Sequence, residues 1–131
     1  METDRVMLDS PELLAALEAN MVAFWTGYGL PAGRRLDARP DRVCVLTGIP
    51  EPLFNAVFRA RLAPDAVAAA VDDIRLDAAE WNVPLFWWLT PSTTPPDLGD
   101  TLARHGFVHA GTVPGMAVEL ARLDGQAALP P

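Results

Sequence analysis

The chain has 131 residues, of which half are hydrophobic and about a fifth are charged, and this is the size and composition of one folded domain. The formal net charge is −7, and arginine supplies all ten basic residues. An acidic chain without a basic stripe argues against a nucleic acid or an anionic membrane as its partner. The single cysteine, Cys44, cannot form an internal disulfide, so we expect a reducing, cytoplasmic location.

The first half of the chain predicts one helix followed by two strands. Ser10 suits an N-cap and Pro11 suits the first helical position. Apolar residues then recur at helical spacing as far as Gly27, where the helix is expected to end. The other elements expected in this half are a loop at 30–42, a strand at 43–47, a turn at 48–52 and a strand at 54–60.

The second half begins with the clearest helical pattern of the sequence. From Pro64 to Trp81, apolar residues recur every three or four positions, while aspartates and a glutamate take the other face. The elements expected after it are an apolar strand at 85–89 that is buried on both faces, a loop at 91–96, a short helix at 97–106 and a hairpin with strands at 107–113 and 116–120. The order α-β-β-α-β-α-β-β predicts an α/β (α+β) fold in which helices cover a mixed sheet.

Several short segments then carry a family resemblance. They are TGIP at 47–50, FNAV at 54–57, PLFWWLTPST at 84–93, LARHGF at 102–107 and PGMA at 114–117. In this order they resemble the N-terminal domain of two-domain GNAT-family N-acetyltransferases, over about residues 10–123. The resemblance implies a GNAT-like, mainly antiparallel sheet flanked by helices, with residues 1–123 as the domain. Residues 124–131 are small, end in proline and lack a pattern, so we expect a linker or tail there. The activity that it implies for the parent family is acetyl-CoA-dependent N-acetyl transfer.

The chain departs from the catalytic pattern of that family where the cofactor's phosphates bind. Catalytic members carry a glycine-rich loop there, whose amides and following helix N-terminus hold the pyrophosphate. The corresponding residues 59–65 contain no glycine, Pro64 has no amide hydrogen, and Asp65 is negatively charged. Arg59 and Arg61 are the two residues that could bind the cofactor, and strand alternation predicts that both point to one face.

A second departure concerns the general acid. Catalytic relatives often carry a tyrosine where Leu102 aligns, and the chain's single tyrosine, Tyr28, lies elsewhere. We therefore assign no catalytic residue and expect a degenerate accessory domain without a cofactor of its own, partnered by a catalytic GNAT domain or by another copy of itself. The alternative is a divergent active N-acetyltransferase that binds acetyl-CoA through its pantetheine arm between two strands. A third possibility is a module that binds a small metabolite.

The remaining candidates each have a structural interpretation beside the functional one. A ligand cleft is predicted from five residues, with Thr94 extending its polar rim: Asn55, Trp87, Trp88, Ser92 and Thr93. The alternatives are core packing for the tryptophans and turn or capping roles for the polar residues. His105 and His109 have no ligand-spaced neighbours, so no metal site is expected. Cys44 is interpreted as a core residue. One local cluster of arginines is interpreted as a solvated loop, and it is also where a contact with phosphates or an acidic partner would be expected: Arg34, Arg35, Arg39 and Arg42.

Overall fold

A computed structural model of the chain describes residues 10–27 and 31–117. Within those residues the fold is mixed α+β, with three α-helices and one four-stranded sheet. The elements in chain order are α1 Pro11–Gly27, β1 Arg35–Arg39, β2 Arg42–Leu46, β3 Ala56–Phe58, α2 Val67–Trp81, β4 Phe86–Trp87 and α3 Leu98–Arg104. Two short 3-10 turns precede β3 and α2, at Pro52–Phe54 and Pro64–Ala66.

The sheet is mixed and follows the order β1-β2-β3-β4. Strands β1, β2 and β3 pair antiparallel, and β3 pairs with β4 in parallel. Because side chains alternate along a strand, successive residues of β2 face opposite sides of the sheet. One side packs against α1 and the other against α2. Trp87 lies on the α2 side and Trp88 on the α1 side, which confirms that these two neighbours point to opposite faces.

Helix α1 begins and ends where the sequence predicts. The Leu13 amide donates to the Ser10 hydroxyl oxygen at 3.1 Å, which confirms Ser10 as the N-cap. None of its residues is fully buried, although Met21, Val22 and Trp25 pack against the sheet. Helix α1 therefore packs against one face of the sheet, but every one of its residues keeps some exposed surface.

Helix α2 is the better-buried helix. Its inward side carries five buried residues: Val67, Ala70, Val71, Ile74 and Ala78. The helix ends at Trp81, as predicted. Asn82 then takes a left-handed conformation with φ 53°, and its amide donates to the carbonyls of Ala78 and Ala79.

The prediction of a loop over residues 30–42 was wrong for residues 35–39, which form strand β1. Its residues alternate between charged and apolar side chains, and they form a two-residue hairpin with β2 through Pro40 and Asp41. Three of the five residues of β1 are charged, and this composition is more typical of a loop than of a strand. The strand exists because β2, which is buried throughout, supplies its partner.

Two other strands are shorter than the sequence suggested. The strand expected at 54–60 is confined to β3, because a 3-10 turn occupies its start and Arg59 leaves the extended region with φ 53°. The strand expected at 85–89 is confined to β4. It is half-buried and lies at one end of the described sheet, so the expectation of burial on both faces was wrong.

The closing hairpin is absent from the described part of the chain. Residues 107–117 form no strand, and Val108 and Met116 are 87% and 83% exposed. Apolar alternation alone cannot make a strand, because a strand needs neighbouring main chain to bond. The element order in the described residues is therefore α-β-β-β-α-β-α. Residues 118–120, the predicted tail at 124–131 and Tyr28 lie outside the described residues.

Candidate functional site

The two regions singled out for function meet at Thr94. One is the connection from β3 to α2, and the other is the loop that follows β4. The Thr94 amide donates to the Ala60 carbonyl at 3.1 Å, and the Leu62 amide donates to the Thr94 carbonyl at 2.9 Å. These bonds continue the parallel pairing of β3 and β4 after the loop of residues 89–93.

The main chain of the β3–α2 connection is used within the fold. Besides the Leu62 amide, the Arg61 amide donates to the Asp41 carbonyl at 2.8 Å and the Ala66 amide to the Ala63 carbonyl at 2.9 Å. Pro64 has no amide hydrogen, and Asp65 is exposed in the same turn. Three of the amides in this connection are therefore already paired within the fold.

The two candidate arginines have different surroundings. Arg59 has a left-handed backbone conformation, which interrupts the alternation of side chains along the strand. The prediction that Arg59 and Arg61 point to one face depends on that alternation. The Arg59 guanidinium reaches across to β1 and donates to the Arg39 carbonyl at 2.7 Å. Arg61 is exposed, and its main chain is fixed by Asp41 and by the bridge to Thr94. Binding of phosphates by either side chain stays a prediction.

A cleft of about 270 Å³ opens beside Thr94, between the end of β4 and the start of α3. The residues that line it are uncharged: Leu89, Thr90, Pro91, Thr93, Thr94, Pro96, Leu98 and Gly99. A turn shapes one wall, because the Thr90 amide donates to the Thr93 hydroxyl oxygen at 2.8 Å and the Thr93 amide donates to the Thr90 carbonyl at 3.0 Å. Such walls suit a small neutral ligand better than an anion.

Of the five residues predicted to form a ligand cleft, Thr93 alone lines this one. The neighbouring Ser92 amide instead donates to the Glu18 carboxylate at 3.3 Å, which ties the loop to α1. Sequence reasoning missed Glu18 and Gly99. Thr94, which was predicted to extend the polar rim of the cleft, does line it, and Thr90 was detectable as a hydroxyl residue close by. Nothing in the sequence connects Glu18 with a loop that lies 74 positions further along.

Asn55 lies away from the cleft and is fully buried. Its carbonyl oxygen accepts from the Thr47 amide at 2.9 Å, and its side-chain amide donates to the carbonyls of Ile49 and Glu51 at 2.8 and 3.0 Å. These bonds agree with the structural interpretation of Asn55, in which its side chain holds the turn and does not bind a ligand. They leave the Asn55 side chain no free donor, because both amide hydrogens are engaged.

The two tryptophans pack within the core. The Trp87 ring meets Phe107 edge-on at 6.0 Å between centroids, and the Trp88 ring stacks on Phe58 at 6.3 Å. Both are half-buried, and neither indole lines the cleft. Leu102, which the sequence resemblance alone aligned with a catalytic tyrosine, is 5% exposed and belongs to the cluster between α2 and α3.

The arginine cluster is largely neutralised by its neighbours. Ion pairs join Arg35 to Asp77 at 3.3 Å, Arg39 to Asp37 at 2.9 Å and Arg42 to Asp41 at 3.1 Å. The Arg42 side chain is also 7% exposed. The expected basic surface is therefore a set of arginine–aspartate pairs around the β1–β2 hairpin.

The thiol and the imidazoles show no catalytic arrangement among the described residues. Burial, reinforced by the nearby charges of Asp77 and Asp37, raises the pKa of Cys44 from 9.0 to about 11, so the thiol stays neutral near pH 7. His105 lies 3.5 Å from Asp72, and His109 lies 3.4 Å from the Thr112 hydroxyl. The described residues contain no group of three side chains that could hold a metal ion.

Comparisons of the chain with protein-family models, with curated proteins and with solved structures found no match. None of the helices in the described residues is both long enough and apolar enough to span a bilayer.

Proposed function

We propose that the chain is a degenerate GNAT-like accessory domain that does not transfer acyl groups and acts through protein contacts, with a catalytic N-acetyltransferase domain or a second copy as its partner. The observation that carries this proposal is the internal use of the β3–α2 amides. Binding a pyrophosphate there requires free N–H donors that converge on the anion. Here the amides of Arg61, Leu62 and Ala66 donate to carbonyls of the fold.

Freeing those donors is energetically unfavourable. The Leu62 amide and the Thr94 carbonyl form one of the bonds that join the two halves of the site. Breaking such a bond forfeits roughly 0.5–1.5 kcal/mol, and more if a buried partner is left unpaired. Asp65 adds repulsion between its carboxylate and any phosphate nearby. Acyl-CoA binding by this route is therefore unfavourable in both hydrogen bonding and charge.

The reactive groups support the same proposal. Leu102 has no proton to donate to a departing thiolate and is packed in the core. The thiol of Cys44 is buried and neutral, so it is a poor nucleophile. A domain of this kind would shape or stabilise a neighbouring active site without contributing chemistry to it.

The divergent-enzyme alternative depends on a gap between two strands. It would place the pantetheine arm between β3 and β4 and the phosphates near Arg59 or Arg61. Between these strands the Trp88 amide donates to the Val57 carbonyl at 3.0 Å, and the next main-chain bond is made by Thr94. The gap available to the pantetheine arm would therefore lie between these two bonds. The exposed guanidinium of Arg61 is the observation that favours this alternative.

Isothermal titration of the purified full chain with acetyl-CoA and with free CoA, at low and physiological salt, separates the two functions. The proposal predicts no saturable heat up to about millimolar ligand. One saturable site with micromolar affinity would overturn it. In that event Arg61→Ala would weaken binding, whereas the matched control Arg75→Ala, at an exposed position on α2, would not.

The cleft supports one second candidate, a module that binds a small neutral metabolite. Its volume of about 270 Å³ is slightly below the range of drug-sized sites, so only a compact ligand fits. A methyl group added at Gly99 would lie 3.2 Å from Leu89, so Gly99→Val narrows the cleft. Saturation-transfer NMR with benzamide and indole as probes tests this candidate: signals that Gly99→Val abolishes support it, and no signal from the wild-type chain overturns it.

A further inference from the structure

The outer edge of β1 is unpaired in the described residues, since β1 lies at one end of the sheet and bonds β2 on its inner side. The hairpin turn closes on Arg39 and Arg42, so these two residues form a hydrogen-bonded pair, and such pairs alternate along the strands. The main-chain groups of Leu36 and Ala38 therefore point outward. A row of free donors and acceptors of this kind pairs with another strand unless it is protected.

The side chains along this edge carry both an apolar contact and a charge pattern. Leu36 is 46% exposed and lies on the α1 side of the sheet, opposite Val45. Arg35 and Asp37 flank it and lie on the other side, with opposite charges. When two copies of this strand lie antiparallel with Leu36 facing Leu36, each Arg35 therefore faces an Asp37 of opposite charge.

We propose that two copies of this chain associate by antiparallel pairing of their β1 edges, with Leu36 opposite the partner's Leu36. In this register Arg35 lies opposite the partner's Asp37, and the symmetry repeats that pair. Within the chain Arg35 already pairs with Asp77 and Asp37 with Arg39, so the contact across the interface adds a second opposite charge to each of these pairs. Both pairs fall at non-hydrogen-bonded positions, where opposing side chains approach most closely. Opposite charges placed there contribute favourably. The two sheets become one continuous eight-stranded sheet within the described elements.

The main-chain bonds fit the same register. The Leu36 amide donates to the carbonyl of the partner's Leu36, and the Ala38 amide donates to the carbonyl of the partner's Arg34. Symmetry doubles both bonds. The Arg34 amide takes no part, because it already donates to the Pro31 carbonyl at 3.1 Å.

Neighbouring registers are worse for identifiable reasons. A two-fold axis at Asp37 would oppose that carboxylate with its own copy and Arg35 with the partner's Arg39. An axis at Arg35 would oppose two arginines. An axis at Ala38 also opposes unlike charges, but it sets Leu36 against Pro40 in the hairpin turn, so the contact between the two exposed leucines is lost. The charge pairs and the contact between the Leu36 side chains together select the axis at Leu36.

This inference rests on the second-copy form of the proposed function and specifies the surface that such a copy would use. A chain that stays monomeric would overturn the pairing alone, whereas saturable CoA binding would overturn the accessory-domain function alone. One strand of five residues makes a small interface, so the dimer is expected to be weak and concentration-dependent. It is also expected to weaken in high salt, since exposed charge pairs are screened.

Sedimentation equilibrium of the full chain over micromolar to millimolar concentrations tests the pairing. The wild-type mass is expected to rise from 14.1 kDa toward twice that value. Asp37→Arg opposes like charges in the proposed register and should keep the chain monomeric. The exchanged variant with Arg35→Asp and Asp37→Arg restores the opposite charges and should recover the dimer. Glu80→Arg, an equal charge change at an exposed position on α2, is the matched control and should leave the dimer intact.

Circular dichroism of each variant separates loss of pairing from loss of folding, because a folded monomer retains its helical signal. A wild-type chain that stays monomeric at all concentrations would overturn the proposal, and this includes the case in which another segment of the same chain covers the edge. A dimer that Asp37→Arg leaves unchanged would also overturn it, because association would then use a different surface.

Discussion

At the scale of single residues, Asn55 organises the turn between β2 and β3 through one side chain. It accepts from the Thr47 amide and donates to two carbonyls of the turn, and it is fully buried. A buried polar group with all these partners stabilises the turn together with the turn's own main-chain bonds, such as that from the Glu51 amide to the Ile49 carbonyl. The interpretation of Asn55 as a turn residue could be made from its place beside a proline-rich turn. Its full burial could not, because it depends on the packing of the sheet.

Replacing this residue should be costly. Asn55→Ala leaves the Thr47 amide and two carbonyls without their partner in a buried site, so we expect a loss of about 2–4 kcal/mol in the free energy of unfolding. Urea denaturation measures it. Asn20→Ala, at an exposed position on α1, is the control and should change stability by less than about 0.5 kcal/mol. Equal stabilities for the two variants would show that the turn does not depend on Asn55.

The buried thiol makes stability depend on alkaline pH. Because the folded-state pKa of Cys44 is about 11 against an ordinary 9.0, folding favours the neutral thiol. This contribution is complete below pH 9 and is lost as the pH rises to 11. We expect it to amount to about 2–3 kcal/mol. Urea unfolding of the wild-type chain and of Cys44→Ala at several pH values measures it. The wild-type free energy should fall more steeply in that window, and parallel profiles would contradict the prediction.

At the scale of elements, the sequence was informative where local chemistry decides the structure. Helix α1 has its cap at Ser10, and α2 ends at Trp81, because capping and apolar periodicity are local properties. Strand β1 was missed because its existence depends on pairing with β2. The hairpin predicted after residue 106 failed within the described residues for the converse reason, since an apolar pattern was present without a paired neighbour. The cleft arises from the meeting of distant segments at Thr94, which no local pattern reports.

The end of α2 provides a test of element-level stability. Asn82 holds φ at 53°, a conformation that costs residues with a β-carbon about 1 kcal/mol and that asparagine tolerates better than most. We expect Asn82→Ala to lower the free energy of unfolding by about 1 kcal/mol and Asn82→Gly to maintain or raise it. Thermal or urea unfolding gives both values. Destabilisation by glycine equal to that by alanine would indicate that the asparagine side chain, and not the backbone conformation, is responsible.

At the scale of the whole molecule, burial is distributed unevenly between the two sides of the sheet. Helix α2 has five buried residues, whereas α1 has none. Segments with little buried surface open at a lower free energy than the core does. Helix α1 is held by half-buried contacts from Met21, Val22 and Trp25 and by the Glu18 bond to the Ser92 amide. The fold therefore has a firmly packed side and a more loosely held one.

Hydrogen exchange measures this asymmetry directly. We expect the amides of α1 to exchange through openings of lower free energy than those of α2 and β2. Glu18→Gln, which weakens the charged bond to Ser92, should speed exchange in α1 and leave α2 unchanged. Uniform protection across both helices would instead mean that the domain opens as a single cooperative unit.

The tryptophans are divided between these two sides. Trp25 and Trp88 lie with α1, while Trp81 and Trp87 lie with α2. Each side of the sheet therefore carries its own pair of intrinsic fluorophores. A chain in which Trp81 and Trp87 are replaced by phenylalanine would emit from the α1 side alone, and the complementary variant would emit from the α2 side. Stopped-flow fluorescence of the two variants would then show whether the helices dock on the sheet together or one after the other.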